Sequence, residues 1–182
     1  MPFTRMDQAR PEDYAIITPA LVQRQAAMPE VIKTMLRQLG GQVDGFAVNQ
    51  LEHSLQTATR ALRAGASEEL VVAALCHDIG KVVSVLNHGA IGAEILNPYV
   101  SDETYQIIRT HQEFQGRYYN AALGKDPDER RHYVNEPWYE LACRFSDEWD
   151  QTSFDPDYDT LPLRHFEPMI DRIFARPQQN VA

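Results

Sequence analysis

The chain has 182 residues, enough for one domain with an ordinary core, and 43% hydrophobic residues place it among sequences that fold. With 26 acidic against 17 basic side chains its net charge is -9, and no block of Lys and Arg stands out to track a phosphate backbone, so nucleic acid is not the expected partner. No apolar run reaches the roughly 18 to 20 residues that span a bilayer. The start MPFTRMDQARPEDY is too polar for a signal peptide, and Cys76 and Cys143 lack zinc-type spacing, so the expected home is a reducing cytoplasm.

Helical periodicity dominates and no segment reads as a long alternating strand, which predicts an all-α fold. Pro11 through Arg24 suits a helix that Pro19 breaks or bends. The next helix runs from Pro29 to Leu39, with Val31, Ile32, Met35 and Leu39 on one face and Gly40-Gly41 as its stop. In AVNQLEHSLQTATRALRAG the residues Val48, Leu51, Leu55, Ala58 and Leu62 share a side, so His53 lies within a helix that ends at Gly65. Ser67 caps the following helix, with Glu68 and Glu69 in the first turn where the helix dipole favours anions. Its apolar run from Leu70 to Cys76 reads as buried and carries His77 and Asp78 into the middle of the bundle, while Gly80 leaves room for a close backbone or ligand. A helix begins near His88 and stops before Pro98, and Ser101 caps another that carries His111. GKDPDERRHYVNEP reads as a surface loop or short helix, WYELACRFSDEWDQ as the last long helix, and FDPDYDTLPL as an extended segment before HFEPMIDRIF.

His53, the adjacent His77 and Asp78, His88, His111 and Asp150 fall on successive expected helices. A lone histidine in an apolar helix is more often a hydrogen-bonded core residue. The set is different, because a buried carboxylate is expensive unless a cation or a full hydrogen-bond set compensates it, and imidazole with carboxylate is common ligand chemistry for iron, manganese and zinc. Asp78, with two oxygens, can bridge two ions about 3.5 to 4 Å apart. Asp147 and Asp150 lie on nearly the same expected helix face, so either could be the terminal ligand, and Asp147 could instead orient a ligand or meet a cationic part of a substrate. Lys81, three residues after Asp78, shares its face and can bind an anionic oxygen or act in catalysis. Gln50, three residues before His53, faces the same cavity. Tyr118 and Tyr119 can line a pocket mouth, and His132 and His165 read as surface or locally bonded residues.

The ordered set His53, His77-Asp78 and Asp150 resembles the H…HD…D signature of the HD-domain superfamily, an all-α fold that binds metal between helices. His88 and His111 resemble the additions of its dinuclear branch. The resemblance implies His53, His77 and Asp150 on one metal, His88 and His111 on the other, and Asp78 between them. It makes residues 43–182 the HD domain, with a C-terminal extended segment and helix, and residues 1–42 a helical extension packing on the core. Most superfamily members resemble phosphohydrolases, which would use the same ligands with Mn or another divalent metal on a small phosphate ester. NQLEHSLQ around His53 and the Trp149-Asp150 pair resemble the diiron oxygenases that cleave 1-hydroxyalkylphosphonates, a group related in chemistry to myo-inositol oxygenase. That implies a mixed-valent Fe(II)/Fe(III) pair, dioxygen, and a small hydroxylated substrate. Those enzymes carry a Tyr and a Glu ahead of the first ligand where this chain has Val43 and Phe46. Their phosphonate-gripping basic residues are replaced here by Gln115 and Asp147, leaving Lys81 as the expected cation at the site.

Overall fold

A computed structural model describes residues 3–175 and 177–178, and among them the regular structure is helical throughout. In chain order the helices are α1 (Pro11–Ala26), α2 (Met28–Leu39), α3 (Gln50–Arg63), α4 (Glu68–Cys76), α5 (His88–Leu96), α6 (Asp102–Gln115), α7 (Tyr139–Arg144) and α8 (Leu163–Phe174). Side chains cap three of them, Ser67 and Ser101 as expected from the sequence and Asn49 in addition. Asn49 accepts from the Glu52 amide, Ser67 from Leu70 and Ser101 from Thr104, each taking one of the amides a helix start leaves unpaired.

The apolar α4 is the centre of the fold: Leu70 to Cys76 are all buried, and α3, α6 and α8 pack around it. α5 packs on α6, and α2 closes the base against α3 and α8. In α2 the buried face is Ile32, Leu36 and Leu39, while Val31 is 45% exposed, so the inward stripe is turned one residue from the expected one. The neighbouring Lys33 is also buried and joins Glu30 to Asp171 of α8, and a lysine so engaged marks the edge of that stripe. α1 buries none of its residues and runs unbroken through Pro19. An exposed helix tolerates that proline because water can take the carbonyl it leaves without a donor.

The polar residues of α3 are buried along with its apolar ones: Gln50, His53, Ser54, Gln56, Thr57 and Thr59 all lie inside. Part of the cause is segment 151–162, which lies against α3 and exchanges hydrogen bonds with its polar side chains. Gln56 donates to the Asp155 carbonyl at 2.7 Å and accepts from the Asp155 amide at 3.2 Å. Arg60 donates to the Thr152 carbonyl, and Thr59 accepts from the Leu161 amide. Arg60 also lies over the Tyr158 ring, 3.8 Å from its centroid.

The expected last long helix divides. α7 passes directly into a π-helical stretch, Phe145–Asp150, closed by the Gln151 amide on the Ser146 carbonyl. A π turn holds more residues than an α turn, so Asp147 and Asp150 do not share a face: Asp150 is buried and Asp147 is at the boundary. The polar stretch after α6 folds into short 3-10 turns, Gly116–Tyr118, Asn120–Leu123 and Glu129–Tyr133. No helix of the described residues is long and apolar enough to cross a membrane.

Candidate metal centre

His77 and Asp78 stand just beyond the end of α4 rather than within it. His77 keeps helical dihedrals, and at Asp78 the chain turns into a 3-10 stretch, Ile79–Val82. That turn is possible because Gly80 has no side chain: a Cβ there would run into the His88 carbonyl and Cα, the start of α5. Gly92 is similar, since its Cβ would meet the His77 carbonyl at 2.9 Å. These two close approaches set α5, and with it His88, against the histidine-aspartate pair.

All six residues singled out from the sequence meet in one place, and all are buried, from 0% exposed for His77 and Asp150 to 7% for His88. The four histidines share one arrangement. His53 Nδ1 faces the Ser153 carbonyl at 2.9 Å, His77 the Ala74 carbonyl at 2.7 Å, His88 the Val85 carbonyl at 2.7 Å and His111 the Ile108 carbonyl at 2.6 Å. A carbonyl only accepts, so each Nδ1 carries the proton and each Nε2 is left with its lone pair for the cluster. This is how metal-ligating imidazoles are oriented.

Around these nitrogens the carboxylates divide the work. Asp150 Oδ1 lies 3.2 Å from His53 Nε2 and 3.6 Å from His77 Nε2. Asp78 Oδ2 faces the same two imidazoles at 3.4 Å each, while its Oδ1 faces His88 at 3.0 Å and His111 at 3.5 Å. Burial pulls both carboxyls upward, but His77 and the imidazoles around it hold them well below the usual carboxylate range. Burial pushes His77 down, yet Asp78 and Asp150 outweigh it and lift the imidazole to about 10. For His111 burial wins and the value falls. The site therefore calls for positive charge, as protons or as metal.

Two observations test whether metal fits. His53 and His77 present Nε2 to Nε2 at 3.1 Å, a contact two neutral rings with protons on Nδ1 cannot satisfy without a cation or an added proton. Asp78 Oδ1 and Asp150 Oδ2 are also buried without a hydrogen-bond partner among the described residues. His53, His77 and Asp150 offer donor atoms within 4.8 Å of one another, as do His77, Asp78 and His111. These two groups share His77, and Asp78, with one oxygen toward His53 and His77 and the other toward His88 and His111, is placed as a carboxylate that can face two ions.

The remaining sequence candidates fall around this core. Lys81 Nζ donates to Asp78 Oδ2 at 2.6 Å and to Gln50 Oε1 at 2.9 Å. Gln115 donates to Asp150 Oδ1 at 2.8 Å. Asp147 does not join the imidazoles: its Oδ1 accepts from Arg130 and from the Tyr118 hydroxyl, each at 2.8 Å. That hydroxyl is pushed up to about 12 by burial and by the carboxylate it bonds. His132 and His165 are exposed and apart from the cluster. Phe46, which the resemblance already places ahead of the first ligand, is joined here by two participants that no sequence pattern marked, Phe154 and Arg130. Phe154 stacks on His53 with ring centroids 4.3 Å apart, Phe46 stacks on Phe154 at 4.7 Å, and the buried Arg130 is a second cation near the π turn. Arg130 stands in a charged run, ERRHY, that reads as a solvated face.

Comparison with known proteins agrees with this geometry. A phosphonate dioxygenase of Leisingera caerulea, the [1-hydroxy-2-(trimethylamino)ethyl]phosphonate dioxygenase (glycine-betaine-forming), is 27% identical over 161 residues, covering 71% of this chain and 81% of its own length. The HD domain family matches residues 51–154, more than half of the chain and the span that carries all six converging side chains. The protein belongs to the HD domain family.

Proposed function

We propose that this protein is a diiron oxygenase that oxidatively cleaves a small hydroxylated substrate of the organophosphonate class. The observation that carries the reading is the division of Asp78, one oxygen toward His53 and His77 and the other toward His88 and His111. On this reading His53, His77 and Asp150 hold one ion, His88 and His111 the other, and Asp78 bridges them. The similarity to a phosphonate dioxygenase supports oxygenase over hydrolase. A bound iron pair would supply the redox chemistry with dioxygen that no side chain can.

The residues themselves hold, orient and shield. The backbone carbonyls at Ser153, Ala74, Val85 and Ile108 keep each imidazole turned inward. Phe154 covers one face of His53 and keeps water from it. Lys81 places an ammonium on the bridging carboxylate, where it offsets charge and meets an anionic part of the substrate. Asp147, already bonded to Arg130 and Tyr118, is engaged elsewhere.

The test is electron paramagnetic resonance of iron-loaded, partly reduced protein with 1-hydroxyphosphonates, polyols and phosphate esters, followed by oxygen-consumption assays. A coupled mixed-valent signal that a hydroxyphosphonate perturbs, with oxygen uptake, is the expected result. No coupled iron signal, with tighter binding of Mn(II) and phosphate release from an ester, would make the protein a phosphohydrolase instead.

A further inference from the structure

Gln50 opens α3 and is fully buried. Its carboxamide meets Lys81 at 2.9 Å, and because an ammonium can only donate, the atom turned to it is the oxygen. The other end is then the NH2 group, and that Nε2 is buried with no hydrogen-bond partner among the described residues. A buried donor left unpaired is costly and points to a ligand that accepts from it. Lys81 adds to this: it has three N–H donors, gives one to Gln50 and one to Asp78, and keeps a third. Its side chain is 13% exposed, so Lys81 has a route to solvent, with Gln50 sealed beside it.

We infer that Gln50 Nε2 and Lys81 Nζ form a two-donor seat for an oxyanion, which fixes the anionic end of the substrate beside the bridging carboxylate. One donor is charged and the other neutral, so the seat suits a tetrahedral or planar oxyanion and offers nothing to a cationic or apolar end. This deepens the function proposed above and rests on its metal assignment. Gln50 is a binding residue on this account, and it takes no part in holding metal.

The experiment uses the metal-loaded full chain and two variants, Gln50→Leu and Gln50→Glu. Glu keeps an acceptor for Lys81 but replaces the NH2 donor with an oxygen. Metal content is measured on every sample, and binding is measured by calorimetry with orthophosphate and with [1-hydroxy-2-(trimethylamino)ethyl]phosphonate. Orthophosphate carries the oxyanion without the alcohol, so it reads the seat alone. The expected result is unchanged metal content, with affinity for both probes about tenfold weaker in Gln50→Leu and weaker still in Gln50→Glu. Equal affinity in all three proteins, or loss of metal in the variants, overturns the inference. Failure of the loaded wild-type chain to bind either probe also overturns it while leaving the metal reading in place, and failure of the wild type to take up metal removes the reading beneath it.

Discussion

The half of the centre built on His53, His77 and Asp150 is sealed, whereas the half built on His88 and His111 is the less buried and so the more open of the two. The three sealed residues are at most 1% exposed, against 2% for His111 and 7% for His88, and Lys81, with 13% of its side chain accessible, reaches in to the Asp78 oxygen that faces His53 and His77. The sealed half can draw four donor atoms from the protein, two imidazoles and one oxygen each from Asp150 and Asp78. The open half has three, two imidazoles and the other Asp78 oxygen. A site with fewer protein donors keeps positions for substrate. The difference teaches that, if the proposed pair of ions binds, the one with fewer protein donors is the one a substrate would reach.

Breaking the link between the halves has the largest expected effect. Asp78→Ala removes the shared carboxylate, and elemental analysis should find both ions lost. Retention of two equivalents would show that the halves do not depend on Asp78. Gly80→Ala attacks the open half alone, because the new Cβ runs into the His88 backbone. Such overpacking costs about 1–3 kcal/mol, measurable by urea denaturation, and metal content should fall to about one equivalent. Phe154→Ala attacks the sealed half through the ring that lies on His53. Loss of a supporting contact of this kind weakens metal binding by about tenfold, and a metal titration should show it in one of two binding steps.

Smaller effects test what lies outside both halves. Glu69, at the far end of α4, accepts from Ser101 and Thr104 at the start of α6 and so ties together the helices that lead to His77 and His111. Burial raises this carboxyl, but those hydrogen bonds outweigh it and hold it below its ordinary value of 4.5. The folded value lies under the unfolded one, so this stabilisation is present above about pH 4.5 and is lost as pH falls through the folded value. In thermal melts of metal-free protein, Glu69→Gln should flatten part of the acid loss below pH 4.5 and lower stability near neutrality. His132→Ala, on the exposed turn, should leave metal content and turnover unchanged. A marked loss of metal there would mean that the donor set has a member in the wrong place.

The six converging side chains were legible because each pairs a ligand chemistry with a recognisable helix, as Ser67 announces α4 and Ser101 announces α6. What was not legible depends on contacts distant in sequence. The buried polar face of α3 looks like a solvated one until the chain near residue 155 lies against it and supplies carbonyls for Gln56 and Arg60. The π turn leaves no compositional mark, so Asp147 and Asp150 read as sharing a face that the wider turn separates. Phe154 and Arg130 sit in polar, irregular stretches with no periodicity to assign an inward direction. The phase of α2 was misread because Leu36 and Met35 are equally apolar, and only the packing of α8 decides between them.

The Ser153 carbonyl that turns His53 inward lies three residues after Asp150, which faces the same imidazole. This has a consequence for the order in which the protein is made. During synthesis His77, Asp78, His88 and His111 all emerge within one continuous stretch and can find one another early. His53 emerges first of all the ligands, yet its orienting carbonyl and its facing carboxylate are among the last of the site to leave the ribosome. A nascent chain can thus bring His88 and His111 to Asp78 well before the sealed half closes, and on the proposed assignment a metal pair held by all six residues would come only to a chain that has been made past residue 153.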